Sequence, residues 1–91
     1  MNIQKQAKEV AEATDNNQHT TARLLIAEYV AYKHKHIVGI KKLTKQMEAV
    51  ETLQDFYKYM PDNLTRIRND LEVAIFSFLN EEETTIFNDS L

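Results

Sequence analysis

The sequence predicts an all-α fold: a long helical hairpin with short terminal helices, assembled as a dimeric helical bundle. Three observations point there. A single glycine (Gly39) and a single proline (Pro61) in 91 residues leave almost no positions for the tight turns of a hairpin-rich β structure. Ala, Leu, Glu, Lys and Gln, all good helix formers, dominate the chain, and 43% hydrophobic content supplies a core and argues against disorder. Apolar residues also recur at spacings of three and four, which stacks them on one face of a helix.

The first helix is expected over about residues 3–13, where Ile3, Ala7, Val10 and Ala11 form a thin apolar face. Thr14-Asp15-Asn16-Asn17-Gln18 reads as a turn, because Asp and Asn bond nearby backbone and tolerate left-handed conformations. Thr20 or Thr21 is the expected cap of the next helix. From Ala22 onward, Leu25, Tyr29, Tyr32, His36, Ile40, Leu43, Met47 and Val50 keep one helical phase, and His34, Lys35, Lys41, Lys42 and Lys45 keep the opposite one. Both stripes hold phase across Gly39, and an interior glycine costs only about 1 kcal/mol relative to alanine. One long helix over 21–59 is the reading. Pro61 ends it and suits the start of a return helix over 62–79, whose seam is Leu64, Ile67, Leu71, Ala74, Ile75 and Phe78. Asn80 with Glu83 three residues on is a capping box for a last helix over 81–87, anchored by Ile86 and Phe87.

A helix of that length would extend roughly 57 Å at 1.5 Å per residue, and the return arm covers about half of it. The exposed remainder would include Leu24, Leu25, Ile26, Tyr29 and Val30, too large a patch for a monomer. A two-fold dimer is therefore expected, with Leu25, Ile26, Tyr29, Tyr32, His36 and Ile40 at its interface. The 91 residues allow one domain. Aromatic residues gather as Phe56, Tyr57 and Tyr59 and as Phe76 and Phe78, and are expected in core and turn packing.

Composition removes most chemistries. There is no cysteine, so disulfides and thiolate metal sites are excluded. Lys33-His34-Lys35-His36 holds two imidazoles, but residues two apart on a helix point about 200° away from each other and cannot share an ion. No metal or cofactor is expected. The serines, Ser77 and Ser90, have no base and orienting group to form a triad, and no glycine-rich phosphate loop is present. No enzyme activity is expected. The chain shows neither a signal-peptide core nor a membrane span, which places it in the cytoplasm.

The net charge of −3 divides unevenly. Residues 1–45 carry +4 and residues 46–91 carry −7, an asymmetry that serves either packing of one half on the other or an external partner. Lys35, Lys41, Lys42 and Lys45, with His34, form a basic stripe with no acid between Glu28 and Glu48. The expected role is a non-enzymatic protein-protein interaction module, a small regulator, inhibitor or adaptor of the size often encoded by phages or other mobile elements. It would dock on an unidentified protein through the stretch from Arg23 to Lys45. The alternative is a binder of nucleic acid or a phosphorylated small ligand through the lysines, although they lack arginine's bidentate geometry and no aromatic platform is evident beside them.

Overall fold

A computed structural model of the chain describes residues 1–54 and 61–91. Among them the backbone forms five α-helices and no strand: α1 (Ile3–Asp15), α2 (His19–Lys33), α3 (Ile40–Gln54), α4 (Asp62–Phe76) and α5 (Glu81–Ser90). The expected helix end at Tyr59 and the aromatic group Phe56, Tyr57 and Tyr59 lie outside the described residues.

Local chemistry explains most of the helix ends. Asn2 caps α1, its side-chain oxygen accepting from the backbone N–H of Gln4 at 2.8 Å and of Lys5 at 3.3 Å. The far end of α1 closes in a Schellman motif. Asn17 takes the left-handed conformation (φ 59°), and the N–H groups of Gln18 and Asn17 return to the carbonyls of Ala13 and Thr14. The expected turn at 14–18 is shorter than read, because Thr14 and Asp15 continue α1 and only residues 16–18 turn; the expected threonine cap is absent, since α2 begins at His19 and Gln18 makes no side-chain cap bond. Asn80 and Glu83 form both bonds of the capping box at α5, at 2.8 and 3.0 Å.

The continuous helix expected over 21–59 is broken. α2 stops at Lys33, residues 34–39 turn, and α3 starts at Ile40. Gly39 adopts φ +92°, a conformation incompatible with a right-handed helix and accessible to glycine without a Cβ penalty. The run His34 to Gly39 also concentrates weak helix formers, with two histidines, the β-branched pair Ile37-Val38 and the glycine together. The preserved phase of the stripes was outweighed by this local preference. The Cα positions extend 34 × 33 × 18 Å, which leaves no room for a 57 Å arm.

The break lets the chain cover its own apolar surface. α2 lies centrally between α1 and α3, α5 packs on α1, and α4 packs on α3. Val10, Ala22, Ile26, Val30, Met47 and Phe87 are fully buried in the shared core. Ile26, Tyr29 and Val30, expected to be bare, are buried, and Leu24 and Leu25 are half-buried against the same core. α1 contributes more than its few alanines suggest, because Gln6 is itself buried and donates from Nε2 to the Leu25 carbonyl at 2.7 Å. The uncovered stripe that called for a dimer is closed within one chain.

Candidate functional site

The end of α2, the turn after it and the first turns of α3 present the exposed lysines Lys33, Lys35, Lys41, Lys42 and Lys45. The base of this surface is set by α2, whose last turn points Tyr29 and Lys33, four residues apart on one face, at the start of α5. Glu83 Oε2 accepts from the Tyr29 hydroxyl at 2.5 Å and from Lys33 Nζ at 2.6 Å, while Oε1 accepts the Asn80 N–H. Burial alone would raise the Glu83 pKa, yet the Asn80 N–H, the Lys33 ammonium and the Tyr29 hydroxyl together hold it down at about 2. Burial pushes Tyr29 up to about 12, helped by its bond to Glu83 and that carboxylate's charge. Both shifts move away from neutrality. The cluster ties α2 to α5 through a buried carboxylate held in its charged form.

The next residue continues this tie. His34 Nε2 donates to the Phe78 carbonyl at 2.9 Å, and its ring centroid sits 5.4 Å from that of Phe78. His34 is thereby committed to holding the α4–α5 connection. His36, expected in the packed seam, is exposed because the helix that would have buried it has ended. Among the described residues no three His, Asp or Glu side chains converge as a metal site.

Beyond His34 the chain presents a basic and apolar corner. Ala31, Tyr32, Lys35, Ile37, Ile40 and Lys41 line a groove whose walls are mainly apolar. Tyr32 is 49% exposed, and the Lys35 ammonium lies 5.3 Å from its ring centroid, within cation–π range. Val38, at the tip of the turn, is 100% exposed. Lys42 and Lys45 are exposed on the first turns of α3.

The structure thus sorts the residues singled out from the sequence. Lys35 and Lys41 share the groove, Lys42 and Lys45 stand exposed further along α3, and His34 is withdrawn into a structural contact. Of the six expected interface residues, Ile26, Tyr29 and Ile40 are buried in the chain's own core, Leu25 is half-buried against it, and Tyr32 and His36 remain exposed. Sequence reasoning missed Val38, since a helix-based reading gave it no special position. Its β-branched neighbour and the following glycine were the available signal for a turn. It also missed the partners of two buried acids: Glu83, described above, and Glu51, which pairs with Arg23 at 3.2 Å. Each ion pair joins a base of the first half to an acid of the second, so part of the charge asymmetry holds the halves together.

Among the described residues, the fold and this corner define a small helical protein with an exposed basic corner between α2 and α3. No known protein family matches the chain, and no characterised protein or solved structure resembles it.

Proposed function

We propose that this chain is a non-enzymatic interaction module whose α2–α3 corner docks an acidic, partly apolar segment of a protein. The observation that carries this reading is Val38, fully exposed at the tip of a turn beside an apolar groove rimmed by Lys35 and Lys41. Burying such a side chain is worth roughly 1.5 kcal/mol or more, and the lysines select a partner whose apolar residue is flanked by carboxylates. Such a role suits a regulator, inhibitor or adaptor working where its partner is, with the cytoplasm as the proposed compartment. Among the described residues no helix is long and apolar enough to cross a membrane.

A second reading, binding of single-stranded nucleic acid or a phosphorylated ligand, draws on the Tyr32 ring beside Lys35, because an aromatic face next to a cation can stack a base. Salt separates the two. Fluorescence anisotropy with a labelled peptide of alternating Glu and Leu should show binding that persists from about 50 to 200 mM salt, because apolar contacts are not screened, whereas phosphate contacts lose affinity steeply over that range. Replacing Lys41, Lys42 and Lys45 together by Glu is expected to abolish peptide binding with the helical fold intact. Peptide binding indifferent to that change defeats the docking role, and salt-labile capture of a labelled oligonucleotide in its place establishes the second reading.

A further inference from the structure

We infer that the acidic segment received by the basic corner belongs to a second copy of this chain, presented by the cleft between α4 and α5. This rests on the docking role proposed above and names its partner. α4 is poorly covered by its own fold: Ile75 is buried, but Val73 is 70% exposed and Ile67 43% exposed. The seam read from the sequence (Leu64, Ile67, Leu71, Ala74, Ile75 and Phe78) is therefore only partly used within the chain. Val73 and Phe76 of α4 meet Leu91, just beyond α5, in a shallow cleft that Asn69, Glu72 and Asn88 complete. Leu91 is 46% exposed there.

The charge around the cleft is the counterpart of the corner's. Glu72 lines it, and Asp70 and Asp89, next in sequence to its lining residues Asn69 and Asn88, are exposed. α5 carries no base, and of the two on α4, Arg66 and Arg68, Arg68 reaches the cleft's edge, donating to Asn69 Oδ1 at 3.4 Å. The chain therefore displays an apolar surface rimmed with lysine and another rimmed with carboxylates. The internal pairs Arg23–Glu51 and Lys33–Glu83 use neither rim. Each surface matches the other in polarity and opposes it in sign, which favours their encounter and fixes its register.

Because the two surfaces comprise different residues, the contact is heterologous, and each copy can donate one surface and receive on the other. The patches are small, so the association is weak and grows with concentration. This differs from the two-fold interface through Leu25 and Tyr29, whose residues the chain covers itself.

The test is sedimentation velocity on the full chain at low salt over a wide concentration range, with circular dichroism to verify folding. The wild type should rise from the 10.6 kDa monomer toward and beyond twice that mass. A corner variant, Lys41→Glu with Lys42→Glu, and a cleft variant, Asp70→Lys with Glu72→Lys, should each stay monomeric alone. Mixed, they should form a one-to-one dimer, since one intact corner meets one intact cleft. Val73→Asp, at a position too exposed to endanger folding, should also remain monomeric. A wild type that is monomeric throughout, or an association indifferent to all three variants, overturns the inference. If that happens while the corner still binds the Glu-Leu peptide, only the identity of the partner is wrong. If peptide binding is lost as well, the docking role falls with it.

Discussion

Glu83 shows how one carboxylate acquires a structural role that its neighbours in sequence only half explain. Its bond to the Asn80 N–H is local and follows from the Asn-x-x-Glu spacing, so it is legible in the sequence. The bonds from Tyr29 and Lys33 come from residues 54 and 50 positions away, and no local pattern encodes them. The energetic consequence has a definite sign. Its folded pKa of about 2 lies below the ordinary 4.5, so the stabilisation is fully present above pH 4.5 and is lost as pH falls toward 2. Tyr29, raised from 10 to about 12, contributes stability that is complete below pH 10 and fades as pH climbs toward 12. A shift of the Glu83 size corresponds to about 3 kcal/mol, less what solvent screening at the half-exposed Lys33 removes. Glu83→Gln should therefore lower the melting temperature at neutral pH by about 10 °C, at roughly 4–8 °C per kcal/mol for a domain of this size. It should also flatten the loss of stability between pH 4.5 and 2. Thermal melts of both proteins across that window check this, and a variant that melts like the wild type would mean the carboxylate is effectively solvated.

At the scale of elements, the turn separating α2 from α3 decides the architecture. The sequence pattern announced helical periodicity on both sides of Gly39, and the starts of α4 and α5 match their proline and capping-box signals closely. What the pattern obscured was the break itself. Two amphipathic helices separated by six residues can keep a common phase by coincidence, and phase alone does not register that His34, His36, Ile37, Val38 and Gly39 all resist helix formation. Gly39→Ala discriminates between the two arrangements by sign. In a continuous helix alanine would stabilise by about 1 kcal/mol. At φ +92° it should instead destabilise by roughly 1–2 kcal/mol. No neighbouring atom lies within 4 Å of the added Cβ, so the cost is backbone strain and not a clash. Urea unfolding midpoints of the two proteins provide the measurement.

For the whole molecule, the candidate site was legible in its charge and illegible in its shape. The lysines stood out because no acid interrupts them, and their exposure follows from that. The groove and the exposed valine beside them depend on where the chain folds back, which is a tertiary outcome. The same folding back moves the upper apolar stripe from a subunit interface to the interior, where α1 and α5 close over α2. The Cα radius of gyration of 12.8 Å sits close to the roughly 12 Å expected of a single packed domain of this length, so one chain accounts for its own core. Leu25 and Val73 then become opposite probes. Leu25 is half-buried against the core beneath α1, and its carbonyl holds Gln6, so Leu25→Asp puts a carboxylate where water reaches it poorly. The expected result is a melting temperature depressed by 10 °C or more, on the order of a 2 kcal/mol loss, with the association state of the remaining folded protein unaltered. Val73→Asp should do the reverse, leaving the melting curve nearly in place and removing association. If Leu25→Asp instead gave a stable, folded monomer from an associating wild type, the stripe would be a subunit interface after all, and α1 would have to swing away from α2 to expose it.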